Sequence, residues 1–230
     1  MGGDRVLSLN IRASLEEDLR MLEEKMLKLA SFSKEALANA MRALVHQDLD
    51  LANEIIKNDD VLDDLTIDLD RSCVEVIARR QPLARDLRTI TTIMKMIVDL
   101  ERIGDLAVNI ARIVLAIGKE PFIKPLIDLP RMAEHAQKML DMAIDAFLKR
   151  DVKEAYEVCK MDNFLDDLER QIVSELFFLM LENPGRTLKQ GVQLMFVARH
   201  LERVGDHTTN LAEKVIYMIT GELIRSSEIR

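Results

Sequence analysis

The five residues Glu101-Arg102-Ile103-Gly104-Asp105 recur, 101 positions on, as Glu202-Arg203-Val204-Gly205-Asp206, and this repetition constrains the chain more than any other feature. In each copy two carboxylates stand four residues apart inside a long apolar pattern. Four residues is about one helical turn, so the two share a face. Asn109 and Asn210 follow at matching distances. The likeness extends beyond the motif: Leu62-Asp63-Asp64-Leu65 matches Leu165-Asp166-Asp167-Leu168, Ala43-Leu44 with Asp48 matches Ala146-Phe147 with Asp151, and Pro82 and Pro184 hold equivalent corners. Matches that carry corners and capping positions as well as apolar letters mark a duplicated unit.

The repeated unit is helical. Gly and Pro are sparse, Trp is absent, and Leu, Ile, Met, Ala and charged residues dominate, which is the composition of long helices and not of sheets. Ser14 with Glu17 has capping-box spacing and announces a first helix that ends near His46. Asp48 caps a second helix that runs to the corner at Pro82. The third spans about Leu83 to Gly118, at 1.5 Å per residue about 50 Å long, with the glycine suited to its C-terminal cap. Prolines at 121, 125 and 130 then interrupt the pattern. Three more helices follow, over about Arg131–Lys149, Val152–Glu182 and Thr187–Thr220, with Asn183-Pro184-Gly185 as the second corner. The expected fold is all-α, two tandem pseudo-symmetric three-helix bundles over residues 1–120 and 131–230 joined by a linker at 121–130.

A net charge of -8 argues against a phosphate-backbone partner, so nucleic acid is set aside. Cys73 and Cys159 lie far apart without a CxxC spacing and read as small core residues of a reducing compartment. The N-terminus lacks a basic region followed by an apolar run, and no apolar run is long enough to cross a bilayer, which places the chain in the cytoplasm without membrane insertion.

Residues equally distant from a hairpin corner lie at about the same height. Counted from Pro82, Asp63 mirrors Glu101 and Asp59 mirrors Asp105; counted from Pro184, Asp166 mirrors Glu202 and Asp162 mirrors Asp206. Each hairpin thus gathers four carboxylates. Such a set stays solvated, becomes partly protonated, pairs with Arg or Lys, or holds a cation. Oxygen-only ligands suit Mg, Mn or Fe. The competing reading is an acidic stripe on a solvated helix face, partly neutralised by Arg102 and Arg203. Gly104 and Gly205 each cost a helix interior about 1 kcal/mol against alanine, so something needs the missing side chain. Close approach of a neighbouring helix is the preferred explanation, room for a ligand the alternative. Asn109 and Asn210 are secondary candidates for orienting a carboxylate.

His207 follows Asp206, but Leu106 stands there in the first copy, so a surface histidine is expected; His46, His135 and His200 are read as unpartnered. A di-iron oxidase needs Glu-x-x-His pairs, which the chain lacks, and no phosphate loop, nucleophile elbow or Cys–His pair is visible, so an enzyme is not expected. Arg79, Arg80, Arg85 and Arg88 crowd the first corner and suit docking to an acidic protein surface or phosphate, or else cap carbonyls and lie over apolar neighbours.

The duplicated Glu-Arg-Ile/Val-Gly-Asp, the aspartate pair in the preceding helix, and Arg79-Arg80-Gln81-Pro82-Leu83-Ala84-Arg85-Asp86-Leu87-Arg88 at the first corner closely resemble the PhoU family, over about Ser14 to Gly221. The resemblance implies a cytoplasmic, homodimeric, non-catalytic negative regulator of phosphate uptake and phosphate-starvation signalling. Its implied partners are the ATPase of a phosphate ABC transporter and a phosphate-sensing histidine kinase. It also implies metal ions, Fe, Mn, Mg or Zn and in clusters, held by Asp59, Asp63, Glu101 and Asp105 and by Asp162, Asp166, Glu202 and Asp206. Two rivals stand beside it: a metal-free helical scaffold unrelated to phosphate, and a two-metal phosphohydrolase.

Overall fold

A computed structural model describes residues 2–226, with side chains from residue 12. The described residues form seven helices and no strand: α1 (Gly2–His46), α2 (Leu49–Lys57), α3 (Asp59–Arg80), α4 (Ala84–Ile117), α5 (Asp128–Lys149), α6 (Val152–Glu182) and α7 (Pro184–Thr220). The chain is all-α, as its composition and periodicity predict. Asp48 caps α2 by accepting from the Leu51 amide at 3.0 Å, and Asp151 caps α6 by accepting from Lys153 and Glu154. Gly118 ends α4 at φ +66°.

Three boundaries differ from the sequence reading. Ser14 is not a cap, because α1 already runs through it from Gly2. Pro130 belongs to the first turn of α5, where a missing amide costs no hydrogen bond, and Pro184 likewise opens α7. The helix expected between Asp48 and Pro82 is broken at Asn58 into α2 and α3. Three short polar residues, Asn58-Asp59-Asp60, compete there for backbone groups, and the two aspartates gain from sitting in the first turn of a new helix. In the second copy Met161 stands where the first has Asn58, and α6 runs through unbroken.

Packing joins the halves as well as each hairpin. Within the halves α3 lies on α4 and α6 on α7; between them α4 lies against α7 and α1 against α5. A hydrophobic core takes residues from every helix, from Leu22 and Met26 in α1 to Val215 and Ile216 in α7. The connection between halves is tied down by side chains: Gln47 donates to the carbonyls of Gly118 and Glu120, and Gln190 accepts from the Ile123 amide and donates to the Pro121 carbonyl.

The motif glycines are explained by this packing. A Cβ on Gly104 would lie 2.1 Å from Leu62 Cδ2, and one on Gly205 would lie 2.4 Å from Leu165 Cδ1 and 2.9 Å from an Asp162 carboxylate oxygen. Close helix approach is therefore the reason in both copies, with a carboxylate sharing the space in the second. Gly205→Ala is expected to lower stability by about 1–3 kcal/mol, because the displaced leucine and carboxylate outweigh the gain in helix propensity. Urea unfolding of the two proteins checks this; equal or higher stability of the variant would reject the account.

Candidate functional site

Each hairpin brings its carboxylates into mutual electrostatic range. In the first, α3 carries Asp59 and the exposed Asp63, and α4 carries the half-buried Glu101 and Asp105. The Glu101 carboxyl is raised above its ordinary value by burial, against Arg102, with Asp105, Asp63 and Asp59 adding to the rise. Asp59 is raised by burial first, then by Asp105 and Asp63. Arg102 pairs with Asp105 at 2.9 Å. Asn109 shares a groove with Asp59 and Asp105 and accepts a hydrogen bond from Arg112. Beside Asp59, the break between α2 and α3 opens a cavity of about 130 Å³ walled by Phe32, Glu35, Asn39, Glu54 and Asn58.

The second hairpin is drier. Asp162 is 1% exposed, and the Glu202 side chain is 12% exposed. Burial pushes the Glu202 carboxyl up to about 7, with Asp206, Glu169 and Asp166 raising it and Arg199 lowering it. Its Oε1 pairs with Arg199 at 2.9 Å, while its Oε2 is buried with no hydrogen-bond partner. The arginine that pairs with Glu202 is thus Arg199, one turn earlier.

The donors are all hard carboxylate oxygens, and the buried Glu202 Oε2 lacks a partner, so the chemistry suits a hard cation. Among the described residues no three His, Cys, Asp or Glu side chains stand close enough to form a closed ligand set.

Two histidine assignments are corrected. His207 is half-buried at the α4–α7 junction, and its Nδ1 lies 3.0 Å from Asp99 Oδ1. Burial, with Arg203, lowers its pKa from the ordinary value, and its Nδ1 is the ring nitrogen that faces the carboxylate. Asn210 donates to the same oxygen at 3.3 Å, and Lys214 pairs with the other. Asn210 therefore orients a carboxylate, but one on α4 and not one of its own hairpin. His135 is also partnered, with the Met161 carbonyl at 3.0 Å. Sequence reasoning missed Asp99; it stands between Val98 and Leu100, but the same stretch also carries Lys95, Glu101 and Arg102, so the letters alone did not single it out.

At the basic corner, Arg79 and Arg80 both pair with Asp18 of α1, at 2.9 and 2.6 Å. Arg88 is half-buried beside Gly221, and Arg85 is exposed. Cys73 and Cys159 are buried and neither forms a disulfide among the described residues; the Cys73 thiol is pushed up to about 12 chiefly by burial. Among the described residues no helix is long and apolar enough to cross a membrane.

With this geometry in hand, comparison with known proteins is decisive. The model of the PhoU domain matches the chain twice, over residues 26–114 and 129–215. The chain belongs to the PhoU family. A phosphate-specific transport system accessory protein PhoU homolog of Aquifex aeolicus is 39% identical over 216 residues, covering 94% of this chain and 97% of that protein. The PhoU protein of Escherichia coli is 32% identical, covering 95% and 90%. The crystal structure of PhoU from Pseudomonas aeruginosa superposes with a TM-score of 0.85 at 33% identity, over 90% of this chain and 99% of that one. The duplicated carboxylate hairpins thus lie within the two stretches that match the PhoU domain.

Proposed function

We propose that this protein restrains phosphate uptake and phosphate-starvation signalling as a metal-binding adaptor between the ATPase of a phosphate ABC transporter and a sensor histidine kinase in the cytoplasm. The observation that carries the reading is the doubled set of mutually repelling, part-buried carboxylates in a chain whose relatives are phosphate-transport accessory proteins. A divalent or trivalent ion at Asp59, Asp63, Glu101 and Asp105, and another at Asp162, Asp166, Glu202 and Asp206, would cancel the repulsion. That fixes the spacing of each helix pair, so a partner meets a rigid surface. The exposed Arg85 and the outer edge of Arg79 add a basic contact point for an acidic partner. The action is by contact, without catalysis, in keeping with relatives named as accessory proteins.

Glu101→Ala with Asp105→Ala is expected to abolish metal at the first hairpin and leave the second loaded. Elemental analysis of protein purified without chelator measures it, and unchanged metal content would reject the assignment. Pull-down of the transporter ATPase with and without metal tests the adaptor role. A deletion strain that still represses phosphate uptake in rich phosphate would overturn the regulatory reading.

A further inference from the structure

The first half is hollow at a place that the second half fills. The cavity of about 130 Å³ lies where α1, α2, α3 and α4 meet, beside the break at Asn58. Phe32, Glu35, Ala36 and Asn39 stand on one face of α1 at helical spacing and make one wall. The offset of 103 that superposes Asp59 on Asp162 sets Ala36, Asn39 and Asn58 against Met139, Met142 and Met161, and Glu35 against Lys138. Met139 is fully buried. His135, at the position of Phe32, lies 3.0 Å from the Met161 carbonyl, so α5 and α6 meet directly there. Three long thioether side chains and a reversed charge thus replace what is small, polar and acidic in the first half.

The walls of the cavity are sorted by chemistry. Its floor is apolar, with Ile55 and Leu62 only 6% and 2% exposed. Glu35, Glu54 and Asn58 are exposed and form the mouth, with the half-buried Asp59 beside them. None of these three carboxylates makes an ion pair or a side-chain hydrogen bond among the described residues. No lysine or arginine lines the space; Arg112 borders Asp59 on the neighbouring groove instead. Asn58 stands at the N-cap of α3, yet its side chain makes no capping hydrogen bond, so its amide is unspent.

We infer that this cavity binds a small organic cation, a short aliphatic amine whose ammonium sits among Glu35, Glu54 and Asp59 and whose stem lies on the apolar floor. Size, charge and polarity select that ligand together. A cavity of about 150 Å³ holds benzene, so the space here suits a stem of four or five carbons, by the same rough measure. An anion would face three carboxylates without a counter-charge, and a neutral hydrocarbon would leave them unanswered. A hard metal ion finds oxygens on one side only, because the floor supplies none. An apolar pocket with a few convergent polar groups is the usual form of a small-molecule site. The cavity shares Asp59 with the carboxylates of the first hairpin, but the inference does not rest on metal there.

The test is calorimetric titration of the full chain with n-pentylamine, in chelator so that no metal occupies the hairpin, and at physiological ionic strength so that diffuse counterion binding is screened. Saturable binding of one amine per chain is expected. Methylamine, which has the charge without the stem, and 1-pentanol, which has the stem without the charge, should each bind at least about 10-fold more weakly. Glu35→Gln with Glu54→Gln should weaken pentylamine at least about 10-fold. Both glutamates are exposed, so helical content and melting temperature should be unchanged. Asn39→Met with Asn58→Met, which installs the side chains of the second half, should abolish binding; if that variant folds poorly, the glutamine variant still decides. Glu157→Gln, at the position matching Glu54, should leave binding intact. No saturable binding, equal binding of 1-pentanol, or indifference to the glutamine variant overturns the inference. An equal loss in Glu157→Gln would assign the amine to the acidic surface at large and overturn it too.

Discussion

Replacing Asp99 by alanine is expected to destabilise the protein by about 3–5 kcal/mol, the usual consequence of deleting one member of a buried, hydrogen-bonded ion pair. Asp99 lies in α4 and is nearly inaccessible, and it receives His207, Asn210 and Lys214 from α7. Removing it leaves three polar groups facing an apolar junction. Lys214 is the least harmed, being partly exposed and free to turn to water. The junction joins the two halves, so the loss should appear as a less cooperative urea transition as well as a lower midpoint. Asp99→Asn should cost less than Asp99→Ala, since its amide oxygen can still accept from His207 and Asn210. If Asp99→Ala alone unfolds within about 1 kcal/mol of the unmodified protein, the network is ornamental.

The second large effect concerns pH. Glu202→Gln is expected to stabilise the metal-free protein by about 1–3 kcal/mol at neutral pH and above, because the native carboxyl is ionised there at a cost the unfolded chain does not bear. The unfolded carboxyl titrates near 4.5 and the folded one near 7. Below 4.5 both states hold the proton and the two proteins should be equally stable. As pH rises towards 7 the unfolded chain has lost its proton while the folded one keeps it, so stability of the unmodified protein falls and then levels. The difference between variant and parent isolates this group from the histidines. A divalent cation at the second hairpin would remove the same penalty. Its addition at neutral pH should therefore raise the melting temperature of the parent more than that of Glu202→Gln. A variant that is no more stable at neutral pH than near pH 4.5, relative to its parent, would sink the assignment.

Much of the site could be read from spacing. The mirror count about Pro82 and Pro184 placed Asp63 with Glu101 and Asp166 with Glu202, and in each pair the aspartate is among the neighbouring charges that raise the glutamate's pKa. The glycines pointed to helix contact because a missing Cβ inside a helix has few other uses. What spacing could not deliver was depth. Asp59 and Asp162 are equivalent letters, yet the first borders a cavity and the second is sealed against Gly205, because Asn58 breaks one helix and Met161 does not break the other. His207 was misjudged for a related reason: comparison with Leu106 showed that it was not part of the repeat, but not that α4 would offer it Asp99.

By itself, then, the sequence determined the local features: helix type, caps, corners, and which carboxylates share a turn. These depend on dihedral preferences and on a period of 3.6 residues, and both are written in short stretches of chain. The tertiary structure decided which helix of one half meets which helix of the other. That choice buried Asp99 beneath α7, gave Arg199 to Glu202, spent Arg79 and Arg80 on Asp18, and left Phe177, Phe178 and Phe196 outside. Burial and charge pairing depend on neighbours remote in sequence, and no count along the chain contains them.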